Sequence, residues 1–292
     1  MSKRIEFKND IMISAIYYGL LQSGYNYYKM ARNEEHINAI QTFRSSPCLS
    51  FFADVKQNTC KAYPYWPRAA LLESATLYLN QETFRWHNFN DYSHFVMSAN
   101  NIHEQERDKT FWEWASSFPV ELEKIISSEG FKRFFDWETN WVCAQERRYK
   151  NELSKLQNRL DFCIKNYDVQ FEKVQIVLSA IKCVYSCDYH TSVENFIFSS
   201  GDFSIDSVLH EYLHYVVHPI VCRYGKLLIN KKLIFDGIDS SYYFYDSENG
   251  IVNAFEEYAV RCLTKAFTEG VQPTDLTTYI EALIENKYNN GI

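Results

Sequence analysis

The chain lacks any apolar run approaching the roughly 20 residues that span a bilayer, so no segment reads as a transmembrane helix. It also lacks a basic surplus. Lys and Arg total 30 against 37 Asp and Glu, a net charge of -7, and no basic run interleaves with aromatics. That balance argues against a dedicated nucleic-acid binder. Cysteine is too thinly spread for a disulfide scaffold: eight in 292 residues, at 48, 60, 143, 163, 183, 187, 222 and 262. Reduced thiols in a cytoplasmic protein are expected, and the CxxxC spacing of Cys183 and Cys187 is a weak metal signal. A secretory signal is not expected either. The apolar stretch 11–21 is short and carries tyrosines, Glu6 and Asp10 interrupt the basic region before it, and no A-x-A-like site follows. Internal repeats and low-complexity tracts are absent as well.

What remains is an ordinary globular composition, 46% hydrophobic and 23% charged, with 22 Tyr and 21 Phe to build an aromatic core. The first part reads as helical. Ile13, Ile16, Leu20 and Tyr27 share one face of a helix over 9–32, and Pro67 suits the start of another over 68–80. From Ser128 to Asp168 the periodicity of Phe131, Phe134, Phe135, Trp141, Leu153, Leu156 and Leu160 predicts one long helix or two abutting ones. Near 169 the composition turns β-branched and aromatic, and 169–187 and 193–200 suit strands. Helices follow at the "HEYLH" run, at 250–268, and at 273–288 with Thr274 or Asp275 as cap. The expected fold class is α+β: a mostly helical part, 1–168, then a smaller part, 169–292, with a small mixed sheet. The boundary is soft, and the two parts can share one core.

The run "SVLHEYLHYVVHP", 207–219, concentrates the chemistry. Residues four apart on a helix stack on one face about 6 Å along the axis, which lets two imidazoles grip one ion. His210 and His214 meet that need, and Glu211 projects toward the same cleft, where it can reach a water rather than the ion. Val208, Leu209, Leu213, Val216 and Val217 make the helix a buried one. Unpaired histidines and a glutamate are costly there. His218 extends the series, but it would stand about 12 Å from His210 along an unbroken helix, too far to share a zinc held at 2.0–2.1 Å. The Gly and third His that break the helix in metzincins are absent, since Val217 and Ile220 hold those positions. Beside helix-ending Pro219, His218 reads as a cap, a supporting partner or a surface residue.

Downstream, "NGIVNAFEEYAVRCLTKAF" reads as a helix on which Glu256 and Glu257 enter an apolar setting together. HExxH followed by a helical E-x-x-A resembles the gluzincin-type zincin metallopeptidases, the thermolysin-like and anthrax-lethal-factor-like superfamily. The resemblance covers about 207–262 and only its motifs. It implies a zinc-dependent hydrolase of peptide bonds, with Zn2+ held by His210, His214 and Glu256 and a water in the fourth position. Ala259 would allow close helix packing. Glu257 reads as an i, i+4 salt bridge to Arg261, and becomes the ligand if the register is off by one. Thermolysin's aspartate, four after the ligand, is replaced by Val260, so the group orienting the histidines is not identified by sequence.

The resemblance further implies that Glu211 is the general base, and that a sheet edge ahead of the HExxH helix binds extended peptide, for which 193–200 is placed. Tyr243 and Tyr245 are candidate oxyanion donors from the segment between the two helices. No GxMEN-like aminopeptidase signature is present, which favours an endopeptidase acting on a peptide or protein substrate. The alternative is a non-catalytic zincin-fold protein serving as a protein-interaction module.

Overall fold

A computed structural model of the chain describes residues 4–24, 33–45, 52, 68–91, 116–169, 171, 173–182, 187–192, 194–231 and 248–289. The fold is α+β, as expected, with mostly helical elements and a small mixed sheet. Among the described residues, no helix is long and apolar enough to cross a membrane. The chain forms two compact units, each assembled from two stretches: 1–149 with 173–203, and 150–172 with 204–292. The division therefore does not fall at 168. The N-terminal part includes a strand ahead of the helix expected at 9–32, and that strand pairs with one more than 160 residues later.

In the first unit the sheet runs β1 (Ile5–Phe7), β4 (Lys173–Leu178), β6 (Asn195–Ser200), β5 (Asp188–Thr191). β1 and β6 both lie parallel to β4, with Ile5 opposite Val174 and Ile176 opposite Phe198, while β5 is antiparallel to β6. Of the stretch expected to be a free edge, 193–200, residues 195–200 form β6, which is paired with β4 on one side and β5 on the other. Its backbone groups are spent on β4 and β5, so it cannot add a peptide strand. The pairing is non-local and invisible to a local pattern.

Helix α1 (Ile11–Gln22) starts where Asp10 caps it, accepting from the Met12 and Ile13 amides at 3.0 and 3.2 Å. It is buried from Met12 to Gln22, as a helix apolar all round must be. A side chain at Gly19 would meet Ile125 at 2.7 Å, so the glycine is what lets α1 lie so close to it. Helix α2 is Glu34–Phe43, α3 is Arg68–Ala75 and α4 is Phe118–Ser127, with a two-stranded ribbon, β2 (Leu79–Asn80) and β3 (Arg85–Trp86). Helix α5 spans Glu129–Arg148. Tyr18, Phe131, Phe134, Phe43 and Trp137 form a chain of ring contacts in this core.

Two polar groups of this core are buried yet satisfied. Lys182 Nζ donates to Glu73 at 2.8 Å and to Asp188 at 2.5 Å, while His190 and Ser199 hold the other Glu73 oxygen. Glu138 accepts from Ser14 and Ser179, each at 2.5 Å. Every charge here has a partner of opposite sign or a hydroxyl, which is what permits its burial.

The second unit is helical. It contains α6 (Lys150–Asn166), α7 (Ile205–Arg223), α8 (Gly225–Lys231), α9 (Glu248–Thr268) and α10 (Leu276–Asn289). The run 128–168 is thus two helices, α5 and α6, broken at Tyr149. Leu156, Leu160 and Cys163 of α6 are buried, as are Val208, Leu209, Leu213 and Val217 of α7 and Phe255, Ala259, Val260 and Leu263 of α9. Phe162 meets Phe267 edge-on at 5.7 Å, and Phe171 packs on Tyr215 at 4.4 Å. Asp275 caps α10 through the Thr278 amide at 3.0 Å.

Candidate metal centre

Helix α7 begins where the Ser204 hydroxyl accepts from the Ser207 amide. It does not end at Pro219. It continues through the proline to Arg223, with Val216, Val217 and Val221 buried on either side of it. Burial of those valines outweighs the one backbone hydrogen bond that a proline removes. The continuous helix keeps His210, His214 and His218 in one row facing α9.

His210 Nε2 and His214 Nε2 stand 3.2 Å apart. Glu257 Oε2 lies 3.1 Å from the latter and 3.4 Å from the former. Three donor atoms thus form a nearly equilateral triangle. Two ligand atoms each about 2.0–2.1 Å from a tetrahedral ion are separated by about 3.3–3.4 Å, so these three would all fit around one such ion. Among the described residues, His210, His214 and Glu257 are the group of His, Cys, Asp and Glu side chains that meets this condition.

The carboxylate in the triangle is therefore Glu257, not Glu256. Adjacent residues on a helix point about 100° apart, and the structure turns Glu256 to the far side of His214. There the His214 Nδ1–H donates to Glu256 Oε1 at 2.8 Å, and His218 Nδ1 donates to Glu256 Oε2 at 2.6 Å. Glu256 so fixes the tautomer that leaves His214 Nε2 open toward the triangle. This is the orienting partner that the sequence did not identify. His218 takes a supporting place and stays out of the triangle. Glu257 also keeps its expected bridge, with Arg261 Nε donating to Oε1 at 2.6 Å. The two expectations for Glu257 are compatible because its two oxygens face different partners. The E-x-x-A spacing belongs to Glu256 and buried Ala259, so it does not carry over to the residue in the triangle.

Both glutamates are buried while the histidines are partly open. Burial disfavours a charged His214, but its hydrogen bonds to Glu256 and Glu257, with the charges of Glu256 and Glu211, push its pKa up to about 10. Burial likewise would raise both carboxyls. Hydrogen bonds from His214 and His218 hold Glu256 below the usual range, and those from His210 and His214 do the same for Glu257. The imidazoles and the buried carboxylates thus hold one another in their charged forms. Glu211, half-buried one residue after His210, is near enough for its charge to act on His214. Tyr243, Tyr245 and Cys183 lie outside the described residues.

No protein-family model matches the chain, and no curated protein or solved structure matches it.

Proposed function

We propose that the chain is a zinc-dependent endopeptidase, with zinc held by His210, His214 and Glu257 and with Glu211 as general base. The observation that carries this proposal is the triangle of three donor atoms, 3.1–3.4 Å on each side. Its chemistry suits zinc: two imidazole nitrogens and one carboxylate, with an orienting carboxylate behind one imidazole. When bound, the ion supplies Lewis acidity and lowers the pKa of a water toward about 7. Glu256 and His218 hold His214 in place, and Arg261 holds Glu257. Glu211, one residue from His210 and outside the triangle, takes the proton from the attacking water and passes it to the departing amine. A site that only braced the fold would have no use for Glu211. The substrate is a peptide or protein, and a cytoplasmic setting suits the free thiols of Cys143, Cys163, Cys222 and Cys262.

One observation favours a second reading, the non-catalytic module. His214 Nδ1 and Nε2 stand 2.8 and 3.1 Å from oxygens of Glu256 and Glu257, so a protonated His214 can join the two with no metal at all. Substituting Glu211→Gln separates the two. The peptidase loses hydrolysis of a mixed peptide pool by about 10²–10⁴-fold while keeping zinc. A module shows no hydrolysis in either protein.

A further inference from the structure

Beside the triangle, a cleft of about 330 Å³ is lined by Asp206, His210, Arg261, Thr264, Lys265 and Thr268. Its volume is at the low end for ligand pockets, enough for a side chain or a chain end. His210 belongs to both the triangle and the cleft, so whatever fills the cleft lies next to the reacting bond. The charges of the lining are uneven. Arg261 and Lys265 project one turn apart from α9. Asp206, the one carboxylate of the six, is bound by Arg159 at 2.9 Å and by the Thr268 hydroxyl at 3.1 Å. Arg261 shares its charge with Glu257, whereas the ion pair of Lys265 among the described residues is an exposed one with Glu269 at 3.8 Å. An exposed pair at that distance stabilises little. Thr264 is nine-tenths buried, and its hydroxyl has no hydrogen-bond partner among the described residues. A buried donor left unmet in the lining is a place for an acceptor oxygen.

Resting on the peptidase proposal, we infer that this cleft is a specificity subsite for a carboxylate of the substrate, recognised by Lys265 with help from Arg261 and Thr264. The carboxylate can come from a Glu or Asp side chain flanking the scissile bond or from the C-terminus of a short peptide. The chemistry is shared, and the test separates the sources.

The test uses the full chain carrying Glu211→Gln, supplied with zinc, so that peptides bind without turnover. The probes are three pools of fluorescent, N-acetylated heptapeptides with random flanks and Glu, Gln or Lys at the centre. Each pool is made as the C-terminal acid and as the amide. For a side-chain carboxylate, the Glu pool binds about five-fold tighter than the Gln pool in both forms, the scale of a good exposed ion pair. For a terminal carboxylate, the acids bind tighter than the amides whatever the centre. In either case Lys265→Glu abolishes or reverses the preference, and the milder Lys265→Gln abolishes it, with zinc content unchanged. Equal binding of all pools, no binding, or a preference indifferent to Lys265 would overturn the subsite. The peptidase proposal fails differently, through absent zinc or absent hydrolysis by the protein with Glu211 intact.

Discussion

His214 donates its Nδ1 proton to Glu256 at 2.8 Å, and this single bond commits the opposite edge of the imidazole to the triangle. Glu256 and Glu257, adjacent in sequence, therefore have different work. One fixes the ring of His214, and the other places an oxygen of its own in the triangle.

From this division, Glu257→Gln should lower zinc affinity by roughly a hundredfold or more, because it removes a charged ligand. Glu256→Gln should lower it by only about 10–100-fold, the usual cost of losing an orienting carboxylate. Competition with a chromophoric chelator measures both. If Glu256→Gln proves the more damaging, the roles assigned to the two glutamates are reversed.

His218 tests the same division from the other side. It touches only Glu256 within the cluster and is half exposed, so His218→Ala should keep zinc stoichiometry and cost less than about tenfold in affinity. Loss of the metal in that variant would make His218 a ligand.

Glu138 predicts a pH dependence of the first unit. Burial pushes its pKa up to about 7, against the opposing bonds from Ser14, Ser179 and the Ala180 backbone. A carboxyl whose folded pKa is raised contributes stability that is complete below its unfolded value near 4.5 and is lost as pH rises through about 7. Glu138→Gln, which mimics the protonated form, should match the wild type near pH 4, below the unfolded value, and exceed it above pH 7. The gap should be on the order of 3 kcal/mol at most. Denaturant titrations across that range read it, and a gap that does not grow with pH contradicts the assignment.

Lys182 neutralises Glu73 and Asp188 where all three are buried. Removing it in Lys182→Met takes the lysine cation from both carboxylates, leaving Glu73 to His190 and the Ser199 hydroxyl, and should cost about 3–5 kcal/mol. Adding Glu73→Gln to that variant should recover part of the loss. Additive damage in the double variant would mean that the pair is not coupled.

How much of this was legible in the sequence follows from the range of each interaction. The helices around His210 and Glu257 were readable because the 3.6-residue period is a local property, and the α7 row of histidines came with it. The placement of β1 against β4 was not, since a three-residue strand at Ile5–Phe7 has no pattern of its own and its partner is distant. The same holds for β6, whose two neighbours make it interior where its position before α7 suggested an edge. Pro219 signalled a helix end, but buried valines on either side overrode it. The choice between Glu256 and Glu257 turns on one residue of helical phase, about 100°. Both sit among apolar neighbours, so burial could not separate them. Only the packing of α9 on α7 decides which carboxylate meets His210.

The central claim is that His210, His214 and Glu257 hold one zinc ion. Metal analysis of the chain purified without a histidine tag tests it most directly, alongside His214→Ala. About one equivalent of zinc in the wild type, lost in the variant, is the predicted result. Less than about half an equivalent after zinc has been offered, or the same content in both proteins, would contradict it.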